Sequence, residues 1–167
     1  PYYFKEKFTM PKLLINAGSD EFFSTDSWRF YFNDLPGDKY LQYMPNVNHS
    51  LNERYLNENL FSFYTRILND QNFPSIVWNI KNDSLISEVV SNQDYKVSIW
   101  EANNKETRDF RLWEKGKLWN QKPLKRNSQD IYKINLKSDK QGYTATMIEF
   151  IFNPDSNFPL ILTTGPY

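Results

Sequence analysis

Asp20 and His49 are the two residues whose types and placing could do acid–base chemistry together. Asp20 closes the turn Gly18-Ser19-Asp20 directly after the apolar run Leu13-Leu14-Ile15. His49 lies in the loop Pro45-Asn46-Val47-Asn48-His49-Ser50, just after a second strand-like run. In parallel sheets functional groups collect beyond the carboxyl ends of the strands, and both residues fall there. A carboxylate so placed accepts from the imidazole Nδ1–H. That bond fixes the tautomer and stabilises the imidazolium formed when Nε2 takes a proton. This is the acid and base of a Ser–His–Asp triad, and the order Asp before His suits an α/β-hydrolase. The third member is absent, since no Gly-x-Ser-x-Gly occurs. In that fold the nucleophile precedes the other two.

Each residue also has a plainer reading. Asp20 in a Gly-Ser-Asp turn could serve only to satisfy backbone N–H groups. His49 in an Asn-rich loop could be an ordinary surface histidine. Their joint placing on consecutive strand ends favours the triad. Glu21 and Asp26 are neighbouring carboxylates that could be mistaken for the acid; Asp26 suits the first turn of a helix, where it complements the dipole. Phe22, Phe23, Trp28, Phe30 and Tyr31 crowd the segment after Asp20. Such residues are more often core than pocket lining.

Composition removes other chemistries. The 167 residues carry 20 Lys+Arg and 20 Asp+Glu, so no excess positive charge is present for nucleic acid or an anionic membrane. Cysteine is absent and His49 is the single histidine. Disulfides, thiolate metal sites and a His-built metal centre are therefore not expected, nor is any cofactor. No stretch reaches the roughly 20 apolar residues that span a bilayer. Pro1-Tyr2-Tyr3-Phe4 does not start a signal peptide, and the chain opens without methionine, which predicts a piece of a longer protein or a processed one.

Two differing halves must position the pair. In the first, residues 12–17 and 39–44 read as strands. Trp28, Phe32 and Leu35 have helical spacing over 25–35, with Ser24 or Thr25 as N-cap and Pro36-Gly37 as the stop. Ser50 and Glu53 have capping-box spacing before a helix to about Asn69, whose stripe is Leu56, Leu60, Tyr64 and Ile67, with Phe63 beside it. Strand, helix, strand, helix predicts a parallel α/β sheet, with further strands expected upstream. The second half offers strands at 76–80, 85–90, 95–102, 108–113, 130–137, 142–152 and 160–165. Seven short strands predict an immunoglobulin- or fibronectin-like β-sandwich, with Trp78, Trp100, Trp113 and Trp119 in its core or on a sheet face. The expected division is 1–72 and 73–167. Asn48-His49-Ser50 and Asn82-Asp83-Ser84 match the N-glycosylation pattern; a glycan on Asn48 would crowd His49.

Several runs resemble the PhoPQ-activated pathogenicity-related proteins. They are Met10 to Phe23 (Met-Pro-Lys-Leu-Leu-Ile-Asn-Ala-Gly-Ser-Asp-Glu-Phe-Phe), Asp26-Ser27, Tyr31 to Tyr40 and Pro45 to Leu51. Trp100-Glu101-Ala102-Asn103, Arg108-Asp109-Phe110-Arg111 and Gly142-Tyr143-Thr144-Ala145 extend the likeness into the second half. The resemblance implies the C-terminal part of an α/β-hydrolase-like domain followed by a β-rich domain, in a secreted or exported protein. It places Asp20 and His49 on the acid and base positions. The resemblance supplies no defined substrate; the triad reading expects an ester, an amide or a peptide, and the β-rich half could cover the site or bind a protein partner. The alternative is a secreted binding or signalling protein without catalysis.

Overall fold

A computed structural model describes residues 2–52, 54–137 and 141–167. Strands β1 (Lys12–Ala17) and β2 (Lys39–Met44) come first, then helix α1 (Arg54–Leu68). Next come β3 (Ser75–Lys81), β4 (Ser84–Val90) and β5 (Tyr95–Asn104), and a single helical turn α2 (Leu112–Lys115). The chain ends with β6 (Trp119–Leu124), β7 (Ile131–Asn135), β8 (Tyr143–Phe152) and β9 (Leu160–Thr163).

The expected fold class is corrected by this arrangement. Among the described residues parallel pairing is confined to β1 and β2, in register from Lys12 opposite Lys39 to Ala17 opposite Met44. No larger α/β-hydrolase-like parallel sheet exists among the described residues; the molecule is mostly β and otherwise antiparallel, in sheets ordered β3-β4-β7 and β6-β5-β8-β9. The helix expected over 25–35 is a short 3₁₀ segment, Ser27–Phe30, so no full helix crosses between the paired strands. Period and order point to βαβ units, but a two-stranded pair has other ways to bury its face. Here β2 runs beside β9, and the Tyr43 N–H donates to Thr163 Oγ1 at 2.9 Å.

The four-stranded sheet is covered on both faces, and β8 shows why. From Ala145 to Phe150 every residue is buried. Ile148, Phe150 and Phe152 face one cluster with Leu85, Val89, Tyr95, Val97 and Tyr132, against the three-stranded sheet. Ala145 and Met147 face the other way, into a cluster with Trp28, Leu41, Tyr43, Phe110 and Trp119. A strand covered twice reads as a continuous apolar run rather than an alternating one. Each large apolar side chain so buried contributes about 1.5–3 kcal/mol. Both clusters draw residues from either side of position 72.

Helix α1 turns an unexpected face inward. Asn59, Ser62, Phe63 and Arg66 are buried, whereas Leu60, Tyr64 and Ile67 are exposed. Asn59 explains the choice. Its Oδ1 accepts from the Ile161 N–H at 2.8 Å, and its Nδ2 donates to the Ile161 carbonyl at 2.9 Å and to Gln42 Oε1 at 2.7 Å. One amide thus satisfies the free edge of β9, where unpaired backbone groups would otherwise lie buried. The capping-box partner Glu53 lies outside the described residues. Trp119 is buried as expected, but Trp113 is 73% exposed, because 108–113 is not a strand.

Candidate functional site

The strand ends of β1 and β2 hold the site. Backbone bonds continue past the ladder: Gly18 N–H donates to the Met44 carbonyl at 2.8 Å, and Ser19 N–H to the Val47 carbonyl at 3.0 Å. Gly18 is needed because a Cβ there would meet Met44 O at 3.0 Å and Trp119 Nε1 at 3.3 Å. The indole of Trp119 also donates to the Gly18 carbonyl at 3.1 Å. Asn46, at φ +57°, clamps the second loop. Its Oδ1 accepts from the Trp119 N–H at 2.9 Å and its Nδ2 donates to the Trp119 carbonyl at 2.8 Å. Asn tolerates the left-handed region better than most residues.

These loops bring Asp20 and His49 together. His49 Nδ1 lies 3.0 Å from Asp20 Oδ2 and 3.3 Å from Oδ1. Asp20 Oδ1 also accepts the backbone N–H groups of Phe22 and Phe23, at 2.8 and 3.1 Å. An ionised carboxylate can only accept, so in a neutral ring this contact favours the tautomer with hydrogen on Nδ1 and a lone pair on Nε2. Among the described residues Nε2 has no hydrogen-bond partner. The Asp20 side chain is 8% exposed and the imidazole 50%, so a buried carboxylate holds a ring open to solvent. Phe22 meets the ring edge-on at 4.9 Å between centroids, and Phe23 lies at 5.7 Å. Leu51, at φ +51°, adds a left-handed residue just beyond the ring, a conformation unusual for leucine.

The neighbouring carboxylates do other work. Glu21 Oε2 accepts the His49 backbone N–H at 2.9 Å, so it holds the histidine's main chain while Asp20 holds the ring. Asp26 pairs with Arg108. Burial works against its ionisation, but the Arg108 hydrogen bond and charge prevail and hold its carboxyl below the ordinary range. A cavity of about 480 Å³ opens beside Asp20, lined by Phe22, Phe23, Arg108, Arg111, Tyr143 and Tyr167 among others. Phe22 and Phe23 are exposed there, while Trp28 is core. Arg111 is bound to Asp109 at 2.8 Å, and that bond holds the Asp109 carboxyl down at about 2. The arginines of this wall and the backbone role of Glu21 were not foreseen; the run Arg108-Asp109-Phe110-Arg111 was the available signal. Among the described residues no group of three or more His, Asp or Glu is placed to hold a metal ion. No helix among them is long and apolar enough to cross a membrane.

A model of the PhoPQ-activated pathogenicity-related protein family matches residues 1–111, and the chain belongs to that family. It is also similar to autocrine proliferation repressor protein A of Dictyostelium discoideum, 28% identical over 89% of this chain. The chain spans 35% of that relative's length. No solved structure gives a significant match.

Proposed function

We propose that this chain carries the acid and base of a Ser–His–Asp triad that hydrolyses an ester or amide bond, peptides included. The nucleophilic serine would come from residues outside the chain, and these residues alone would not turn over substrate. His49 Nε2 takes the serine proton and later gives it to the leaving group; Asp20 keeps the ring in the tautomer that makes this possible. The observation that carries the reading is the 3.0 Å contact between His49 Nδ1 and a buried Asp20. The cavity beside Asp20 would receive part of the substrate. Export of the whole protein accompanies this reading, by family resemblance.

A second reading has its own support. The similar amoebal protein is named for repressing proliferation, which favours a secreted binding or signalling factor without catalysis. Treating the full-length protein with a fluorophosphonate probe separates the two. The hydrolase reading expects labelling of a serine, lost in His49→Ala. Absence of labelling in the unmodified protein, or labelling that survives the substitution, favours the signalling factor.

A further inference from the structure

A second cavity, of about 530 Å³, lies on the face of the four-stranded sheet that meets β2 and α1. None of the Asp20–His49 pair lines it. Among the described residues its one acidic side chain is Glu149, on β8, which is 8% exposed. Strand register puts Glu149 opposite Ser98 and Thr163. Among the described residues Gln121 Nε2 donates to its Oε1 at 3.0 Å, and the Trp100 indole N–H is directed at the same carboxyl. Among the described residues no Lys or Arg lies within ion-pair distance of it. The indole N–H of Trp100, on the same face, is buried and completes no hydrogen bond of good geometry.

An acid in this state is unusual. Buried carboxylates are normally paired with a cation, since an uncompensated buried charge costs several kcal/mol. Burial pushes the Glu149 carboxyl up; the Trp100 and Gln121 N–H groups pull it back and do not overcome the burial. The surrounding walls are apolar: Ile151, Ile161, Pro154 and Pro159. Lys96 and Lys117 line the cavity too, but both are exposed, and Lys96 sits 3.4 Å from Asp155. A ligand anion would face Glu149 at depth, and a neutral ligand would leave the carboxyl without a counter-charge.

We infer that this cavity binds an organic cation, a primary ammonium or guanidinium on an apolar stem, with the cation on Glu149 and the stem against the isoleucines and prolines. Such a group supplies the missing donors and charge, while Trp100 and Tyr55 offer aromatic surface beside it. The rim lysines tolerate or favour an anionic group at the outer end of the same ligand.

Calorimetric titration with 6-aminohexanoate and with hexanoate tests this, because the two differ only in the ammonium. The expected result is binding of 6-aminohexanoate with Kd of about 1 mM or tighter, at least tenfold weaker binding of hexanoate, and a tenfold or larger loss in Glu149→Gln. Thermal unfolding of that variant checks that it remains folded, and Lys96→Ala, which leaves the acid in place, should keep the preference for the ammonium. Equal binding of the two compounds, unchanged affinity in folded Glu149→Gln, or no binding of 6-aminohexanoate at millimolar concentration overturns the assignment.

Discussion

Asp20 and Glu149 are both more than nine-tenths buried, and they meet that condition in opposite ways. Asp20 collects two backbone N–H groups and an imidazole. Among the described residues Glu149 collects one amide and a poorly aligned indole N–H, and no cation. The first carboxyl is built into a turn whose N–H groups converge on it, so its own loop supplies the donors. The second projects from the middle of a strand, where backbone groups are committed to the ladder and only neighbouring side chains can help. Burial alone therefore says little about what an acid is for. The donors around it decide whether it orients a partner already present or waits for one.

The largest expected effect concerns the satisfied acid. In the full-length protein, Asp20→Asn should slow fluorophosphonate labelling by about 10³–10⁴-fold, because an amide can present a donor to Nδ1 and favour the wrong tautomer. A labelling rate within a factor of two of the unmodified protein would reduce Asp20 to a turn residue. The division at 72 and 73, proposed from composition, comes next. Excised residues 73–167 should fold as a soluble β unit with strand-like circular dichroism, less stable than the whole because Met147, Phe110 and Trp119 lose their cover. Random-coil dichroism would refute the division.

Asn59 sharpens the contrast further, being fully buried and satisfied on both amide atoms. Asn59→Ala strands both backbone groups of Ile161 and should cost ~3 kcal/mol in denaturant unfolding. A loss below ~1 kcal/mol would mean that water replaces the amide. Glu149→Gln should act in the other direction. The native state keeps its proton above the ordinary value of 4.5, where the unfolded chain has lost it, so stability falls as pH climbs from that value toward the raised one. The amide removes this slope; a slope that persists in Glu149→Gln would assign it elsewhere. Asp109→Asn should be smallest, under ~1 kcal/mol, since its partner Arg111 is largely exposed. Its carboxyl sits near 2 in the fold against 3.8 ordinarily, so the contribution is present above 3.8 and disappears as pH falls through 2. Urea midpoints measured across that range check the sign.

The strands were legible where apolar residues cluster. Residues 12–17 and 39–44 match β1 and β2, and six of the seven later expectations fall on strands. Strand β6 was missed because Trp119-Asn-Gln-Lys-Pro-Leu is polar and contains Pro123, which an edge strand accepts. The α1 stripe was correct in period but turned by about 100°, one residue's step, with Phe63 buried and Leu56 half-buried. Hydrophobicity pointed to Leu60, Tyr64 and Ile67, but the edge of β9 needed hydrogen bonds, which Asn59 provides. The parallel class was over-read from element order, which does not count how many strands join a sheet. That Asp20 and His49 meet was legible because each lies within a few residues of the end of a clear strand. Glu149 was invisible, since a lone Glu in an apolar strand gives no sign of what covers it.

Because His49 is the single histidine, its ring can be watched without assignment ambiguity. Nitrogen-15 NMR of the imidazole at neutral pH tests the central claim most directly. The expected spectrum shows hydrogen on Nδ1 and a free Nε2, with a hydrogen-bonded Nδ1 proton that disappears in Asp20→Ala. A ring protonated on Nε2, or a spectrum that Asp20→Ala leaves unchanged, would contradict the pairing on which the proposed chemistry depends.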